Sequence, residues 1–297
     1  MKLPRFEIHR TRTLREASQL LVELGDEAVA YHGGTELLLT MKLGLANYAH
    51  LIDLKLIDDL RGISLDDGVL RIGAGMTHHE IECSKDVRRS LPAMSEMLRH
   101  IANVRVRALG TIGGNLCFAD PHSDPATFLT ALNASLVCSD GIATRRMQAD
   151  EFLVGPYETV LAPGELLVAV EVALPGVNVG VSHIRMKTHE RPTITVTSTV
   201  ALNEGTVEKV LVAVGSVCSV PVVVDAFDGL VGHSQARWEQ GIEDCAAAAA
   251  EIVEPLEDAD GGVDYKRALV RTFVRRGMAA ALLDAVARPD ATKEGSR

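Results

Sequence analysis

The sequence predicts an α+β protein in two parts, an N-terminal region of alternating helices and strands and a smaller C-terminal α+β domain. Two observations support this division. At 297 residues the chain exceeds the length at which one hydrophobic core normally divides. Segment 175–180 combines proline, glycine and asparagine as domain linkers do, and the residue pattern changes after it. The predicted domains are 1–176 and 177–290, followed by a flexible tail at 291–297.

In the first part, the helices are predicted by their capping residues. Thr13 and Thr77 each open a capping box with a glutamate three residues later, and Asp124-Pro125 should cap and begin a third helix. Strands are predicted where apolar and β-branched residues cluster between turn residues, at 27–31, 52–56, 69–74 and within 164–174.

The second part reads as three strands followed by helices. Alternating apolar residues predict a three-stranded antiparallel sheet from strands at 181–186, 194–202 and 207–214. Asn203-Glu204-Gly205 provides the turn between the last two strands. Helical periodicity predicts two helices, at 236–253 and 265–286.

Composition excludes several classes of protein. The formal net charge is -10, from 30 basic and 40 acidic side chains, whereas a duplex-binding surface needs positive charge. No apolar run approaches the roughly 20 residues that span a bilayer. The N-terminus lacks the apolar core of a signal peptide, and the five cysteines form no Cys-x-x-Cys pair. We therefore expect a cytoplasmic protein with no nucleic-acid partner, no membrane span and no metal site.

Two glycine pairs, at 33–34 and 113–114, carry the chemical signal, and each lies beside a threonine, Thr35 or Thr111. Glycine lets the backbone approach a ligand closely and turn successive N–H groups toward anionic oxygens. Two such cradles suit a diphosphate held from both sides, although each pair alone fits a plain tight turn equally well. No G-x-G-x-x-G follows the first strand, so a Rossmann dinucleotide site is not supported.

The longer motif at 111–126 reads T-I-G-G-N-L-C-F-A-D-P-H-S-D-P-A, and 32–37 reads H-G-G-T-E-L. These segments resemble the FAD-binding subunit of the molybdenum hydroxylases, the group of xanthine dehydrogenases and aerobic carbon monoxide dehydrogenases. That family carries T-I-G-G-N…S-D-P-A and A-G-G-T-[DE]-L patterns. Both motifs occur here in order and at fitting spacing, and the resemblance covers essentially the whole chain.

The resemblance implies FAD as the cofactor. It also implies a two-part FAD-binding domain of the vanillyl-alcohol oxidase and para-cresol methylhydroxylase type, with a small C-terminal domain of the carbon monoxide dehydrogenase flavoprotein type. Contiguous residues would wrap the diphosphate: Ala30, Tyr31, His32, Gly33, Gly34, Thr35, Glu36 and Leu37. By the same resemblance, Thr111, Gly114 and Asn115 would hold the other side of the cofactor.

Further site residues follow from the resemblance. Ser123 and Asp124 match a Ser-Asp pair that contacts the adenosine portion. Ile101 and Leu167 match apolar contacts, and Lys187 matches a lysine near the isoalloxazine ring. Each has a plainer alternative. Asp124 fits an ordinary helix cap, Ile101 and Leu167 fit the core, and Lys187 fits a solvated side chain.

The implied function is electron transfer in a heteromeric molybdenum hydroxylase. Its partners would be a large molybdopterin-cofactor subunit, a small [2Fe-2S] subunit and an external acceptor such as NAD, a quinone or oxygen. No catalytic residue is predicted, because the cofactor carries the redox chemistry. One alternative is a stand-alone flavin oxidase or dehydrogenase on the same fold. Another is a flavin-free assembly subunit, which Tyr31-His32 keep open because the family has small residues there.

Overall fold

The computed structural model describes residues 2–225, 227, 229–234 and 237–288. The predicted tail at 291–297 lies outside the described residues. The strands, in chain order, are β1 Glu7–Arg10, β2 Ala28–Tyr31, β3 His50–Asp53, β4 Ile63–Asp66, β5 Val69–Gly73, β6 Ser135–Ser139, β7 Thr144–Gln148, β8 Leu153–Gly155, β9 Glu158–Thr159, β10 Leu166–Ala173, β11 Val179–Lys187, β12 Pro192–Asn203, β13 Thr206–Gly215 and β14 Val222–Val224.

Helices α1 and α2 lie between the first strands, and α10 and α11 close the described chain. The helices are α1 Leu14–Leu24, α2 Leu37–Leu43, α3 His78–Cys83, α4 Lys85–Ser90, α5 Pro92–Arg99, α6 Val104–Arg107, α7 Ile112–Phe118, α8 Asp124–Ala131, α9 Ala149–Phe152, α10 Trp238–Ile252 and α11 Val263–Ala287. Within the residues that the structure describes, no helix is both long and apolar enough to cross a membrane.

The chain folds into two compact units. The first comprises the chain up to Asp120 together with Ala134–Val172. It contains a parallel sheet in the order β1-β3-β2, a five-stranded sheet in the order β4-β5-β10-β6-β7, and the hairpin of β8 and β9. The second unit comprises Pro121–Asn133 together with the chain from Ala173 onward, so helix α8 belongs to it.

The sheet of the second unit has four strands in the order β11-β12-β13-β14, all antiparallel. The three predicted strands are present, and the turn between β12 and β13 has positive φ at Glu204 (49°) and Gly205 (79°), as a two-residue hairpin turn requires. The predicted three-stranded sheet is wrong by one strand. β14 has only three residues, too few for alternation to show in the sequence.

Local capping signals placed two helices correctly. Thr13 caps α1 by accepting the N–H of Glu16, and Thr77 caps α3 in a complete capping box with Glu80. Both threonines have extended backbone, and a hydroxyl within reach of the third helical N–H satisfies a group that the helix itself leaves unpaired. The Thr77 cap also fixes the chain where it approaches the second glycine pair.

Candidate functional site

The first glycine pair lies in the connection between β2 and α2. The backbone N–H groups of Gly33, Gly34 and Thr35 have no hydrogen-bond acceptor among the described residues. All three residues are half-buried. Three successive N–H groups without a protein acceptor are the kind of arrangement that can bind anionic oxygens. The assignment of this loop to a diphosphate stays a prediction.

Gly33 brings the two glycine-containing segments together. A Cβ on Gly33 would lie 2.1 Å from the carbonyl oxygen of Leu109 and 3.0 Å from the Cα of Gly110. A Cβ on Gly110 would in turn lie 3.2 Å from Oγ1 of Thr35. The backbones of the two segments are thus in direct contact, and no side chain fits between them at Gly33.

Tyr31 fills space beside the first loop. A Cβ on Gly34, which has a φ of 70°, would lie 2.5 Å from the Tyr31 ring. The ammonium of Lys55 stands 3.8 Å from the centroid of the same ring. The tyrosine that departs from the small residues of the family pattern therefore packs against the loop. Sequence reasoning missed Lys55, because only the β2–β3 pairing brings it here.

His32 contributes a buried ring nitrogen beside the first glycine loop. Its Nε2 has no hydrogen-bond partner among the described residues and would lie 2.8 Å from a Cβ on Gly75. Burial, reinforced by the ammonium of Lys55, lowers the pKa of His32 below its ordinary value of 6.5. The neutral ring is therefore the favoured form at pH 7, with one nitrogen free to donate or accept.

We expect the variant His32→Gln to show a weaker dependence of unfolding free energy on pH. The pKa of His32 is lowered on folding, so the unfolded chain binds its proton more readily. Stability contributed by the neutral ring is present above the unfolded pKa of about 6.5 and is lost as the pH falls toward the folded pKa. Urea unfolding of the flavin-free chain at a series of pH values from 7 downward measures this slope.

The exposed histidine His100 provides the matched control for that measurement. His100→Gln measures how far the loss of an exposed histidine alone changes the slope, and the change in His32→Gln should be larger. Equal slopes for His32→Gln and the unmodified chain would show that the environment of His32 does not disfavour its charged form.

The second glycine pair lies in a helix and not in a loop. Helix α7 begins directly after Thr111, whose Oγ1 accepts the N–H of Gly114 at 3.0 Å. Each remaining N–H group of the first turn donates to a backbone carbonyl: Ile112 to Met76, Gly113 to Ala74 and Asn115 to Thr111. The expected second cradle of open donors is therefore not formed by these residues. Thr111 is buried and acts as the helix cap.

Gly113 instead permits close packing. A Cβ there would lie 2.6 Å from the Cβ of Ala74, in the segment between β5 and α3. His78, the first residue of α3, donates its N–H to the carbonyl of Gly110 at 2.9 Å. The sequence did not reveal that segment 74–78 packs against the second glycine pair. The glycines at 73 and 75, close to the capping box at Thr77, could have indicated this contact.

The other predicted residues of the first unit occupy mixed environments. Gly114 is exposed on α7 and Asn115 is half-buried. Ile101 is half-buried after α5, and its carbonyl accepts from Arg107. Leu167 is only 5% exposed and pairs with a residue of β6. Both observations agree with its alternative role as a core residue.

Within the second unit, Asp124 belongs to a buried charge network. Its two carboxylate oxygens accept from Nε2 of His183 at 3.1 Å and from Arg185 at 2.5 Å. The helix cap is Ser123, whose Oγ accepts the N–H of Ala126. The capping role expected of Asp124 is thus wrong by one residue, because Asp124 is the first helical residue and its carboxylate turns to strand β11.

Lys187 is the last residue of β11 and is exposed. The loop that follows it is held by Asp260. That carboxylate accepts from His189 at 2.7 Å and from the hydroxyls of Thr188 and Thr193, each at 3.2 Å. The hydrogen bond from His189 lowers the pKa of Asp260, so the anchor is charged at neutral pH. The base of Lys187 is therefore fixed while its ammonium stays accessible.

Two family models match this chain. The model described as FAD binding domain in molybdopterin dehydrogenase matches residues 4–175. The model described as CO dehydrogenase flavoprotein C-terminal domain matches residues 182–281. Together they extend over both of the compact units described above.

Individual relatives agree with these matches. The chain is 32% identical to the carbon monoxide dehydrogenase medium chain of Hydrogenophaga pseudoflava, over 94% of this chain and 97% of that protein. It is 26% identical to the xanthine dehydrogenase FAD-binding subunit of Escherichia coli O157:H7, over 92% and 95%. The solved structure of a carbon monoxide dehydrogenase from Hydrogenophaga pseudoflava superposes with a TM-score of 0.90 at 33% identity, covering 98% of this chain and 100% of that chain.

Proposed function

Because the chain belongs to the family of FAD-binding medium subunits of the molybdenum hydroxylases, we propose that it is the electron-transfer subunit of a heteromeric enzyme. It receives electrons from the [2Fe-2S] clusters of a small subunit and delivers them to an external acceptor such as NAD, a quinone or oxygen. A large molybdopterin-cofactor subunit carries out the hydroxylation. The complex works in the cytoplasm.

The residues around the first glycine loop fit FAD. The open N–H groups of Gly33, Gly34 and Thr35 are donors of the kind that a diphosphate requires. The unpartnered Nε2 of His32 adds a further polar atom beside them. This set of unpaired donors is the observation that carries the proposal, because nothing in the described chain satisfies them.

We assign the remaining residues from the resemblance of their motifs to those of the family. Ala30, Tyr31, Glu36 and Leu37 would complete the diphosphate loop, with Thr111, Gly114 and Asn115 on the other side of the cofactor. Apolar contacts would come from Ile101 and Leu167, and adenosine contacts from Ser123 and Asp124.

When bound, FAD supplies the capacity to take up electrons in pairs or singly and to release them to a different acceptor. The protein binds the cofactor, orients it and limits the access of water. None of these tasks requires a nucleophile or an acid–base pair.

The stand-alone oxidase remains a second candidate only in so far as the same fold can bind FAD. An enzyme of that kind needs its own substrate pocket, usually lined with aromatic residues, whereas only 4% of this chain is aromatic. The open donors of the first loop favour a subunit that binds flavin over the flavin-free assembly subunit.

Copurification tests the proposed assembly. The chain should be isolated from its native host, and its partners should be identified by mass spectrometry and metal analysis. We expect a molybdenum-containing large subunit and an iron–sulfur small subunit in equal amounts with this chain. Isolation of the flavin-loaded chain alone, with turnover of its own organic substrate, would instead establish the stand-alone oxidase.

Replacement of Lys187 by methionine should lower the reduction potential of the bound flavin. An accessible ammonium next to the flavin ring would favour the negative charge that the ring gains on reduction, and methionine removes that charge while keeping an unbranched side chain. The potential is measured by spectroscopic titration with a reductant in the presence of a reference dye.

Lys209 is the matched control for Lys187. It is also an exposed lysine on a strand of the same sheet, in β13, and Lys209→Met should leave the potential unchanged. An equal shift in both variants would mean a general effect of net charge, and no shift in either would remove Lys187 from the flavin site.

A further inference from the structure

The parallel pairing of β1 with β3 brings three potential metal ligands together. Glu7 and His9 are two residues apart on β1 and therefore point to the same side of the sheet. His50, the first residue of β3, is directly paired with Glu7. Within the described residues this is the group of His, Cys, Asp and Glu side chains whose ligand atoms all lie within 4.8 Å of one another.

The distances between the ligand atoms lie within a few tenths of an ångström of those around a shared ion. Nε2 of His9 lies 3.0 Å from Nδ1 of His50. Oε2 of Glu7 lies 3.7 Å from the His50 nitrogen and 4.0 Å from the His9 nitrogen. Zinc binds nitrogen and oxygen at about 2.0–2.2 Å, so ligand atoms of a tetrahedral site are separated by about 3.3–3.6 Å. The three observed separations bracket that range.

The carboxylate is the informative member of the group. It faces both ring nitrogens but is too far from either for a hydrogen bond. The contact between His9 and His50 could be a hydrogen bond between neutral rings, but that bond does not require the carboxylate of Glu7 to face the same point. A cation between the three atoms accounts for all three orientations at once.

Exposure also suits a metal site. The side chains of His9 and His50 are 24% and 21% exposed, so their rings are largely fixed by packing. Glu7 is 69% exposed, which leaves a path from solvent to the ligand atoms. Two imidazoles and one carboxylate are a donor set that zinc commonly takes, with a water molecule as the fourth ligand.

We propose that Glu7, His9 and His50 form a zinc-binding site that fastens the edge strand β1 to β3. We expect its effect to be on the stability of this sheet, because β3 also pairs with β2, the strand that leads into the first glycine loop. Fixing β1 against β3 therefore strengthens the sheet from which the proposed cofactor loop begins. The proposal does not depend on whether FAD binds to that loop.

The test is a zinc titration of the full-length chain, produced without a polyhistidine tag and stripped of metal with EDTA. Isothermal calorimetry with zinc chloride should show one site per chain with micromolar or tighter affinity. Cobalt(II), added in place of zinc, should give the visible absorption of a four-coordinate ion. Zinc should also raise the melting temperature of the chain, because an ion that binds only the folded state stabilises it.

Variants assign the ligands. His9→Ala and His50→Ala should each weaken zinc binding by at least about 100-fold, since loss of outer-shell partners alone costs about 10–100-fold. Glu7→Gln keeps the size of an exposed edge-strand side chain, so it tests the site even if a histidine variant fails to fold. His100→Ala is the control, because it removes an exposed histidine that lies 3.5 Å from a single glutamate, Glu96.

The zinc titrations of these variants distinguish a metal site from a cluster without metal. Binding that is lost in the Glu7, His9 and His50 variants but kept in His100→Ala establishes the site. Absence of binding to the unmodified chain, or equal affinity in all the folded variants, would show that the three side chains form only a hydrogen-bonded and ion-paired cluster.

Discussion

The variant Gly33→Ala is expected to lose most of its bound flavin during purification. The new Cβ would lie 2.1 Å from the carbonyl oxygen of Leu109, so the two contacting segments would have to move apart. Overpacking of this kind typically costs about 1–3 kcal/mol. If the displaced atoms belong to the cofactor site, that cost corresponds to a roughly 5- to 150-fold weaker affinity for FAD. The ratio of flavin absorbance to protein after gel filtration measures the effect.

Gly155→Ala is the matched control in the same compact unit. A Cβ at Gly155 would make only ordinary contacts, the nearest at 3.5 Å, so that variant should keep its flavin. Full flavin content in Gly33→Ala would mean that the contact between the two segments is not part of the binding site.

Replacing Asp124 by asparagine should destabilise the second unit. The carboxylate is 5% exposed and accepts hydrogen bonds from both His183 and Arg185. Its amide counterpart would remove the negative charge that the Arg185 guanidinium contacts and would turn an N–H group toward other donors. Removing one partner of a buried ion pair costs about 3–5 kcal/mol. Because Arg185 is 19% exposed, we expect a loss at the lower end, about 3 kcal/mol, in urea unfolding of the flavin-free chain.

Asp264→Asn is the control for this experiment, because it removes the same charge at an exposed position. Asp264 is fully exposed and lies 3.7 Å from Arg267, so its removal should change stability little. Similar losses in the two aspartate variants would contradict the structural role of the buried network. Measuring the flavin-free chain keeps this effect apart from any contact between Asp124 and adenosine.

Features set by neighbouring residues could be predicted from the sequence. The caps at Thr13 and Thr77 depend on atoms three residues apart. The alternation in 194–202 reflects one strand whose apolar face lies in the hydrophobic core, and the turn at Glu204 and Gly205 needs only residues that tolerate positive φ. Each of these features can be recognised from a few consecutive residues.

Features that depend on distant pairing could not be predicted. The glycine pair at 113–114 was expected to form a second cradle of donors, yet it lies in a helix that Thr111 caps. Ile112 and Gly113 donate to the segment at 74–78, and Gly114 and Asn115 donate to Thr111. Asp124 was expected to cap α8, but strand β11 supplies a histidine and an arginine that attract its carboxylate. The ligand group at Glu7 depends on a strand pairing across more than 40 residues. Each case requires the position of a partner that no local pattern encodes.

The two glycine pairs looked equivalent in the sequence, but the structure shows that they have different surroundings. The first presents open donors, whereas the donors of the second are all occupied within the protein. We therefore expect the affinity for the diphosphate to come mainly from 33–35, and the second segment to act mainly by supporting that loop through Leu109 and Gly110.

The visible absorption spectrum of the purified chain, with the released chromophore identified by mass, decides whether this chain binds FAD. We expect a flavin spectrum and the mass of FAD at close to one molecule per chain, either as isolated or after incubation with FAD. A colourless chain that also fails to take up added FAD would contradict it, because the open donors at 33–35 would then have no ligand.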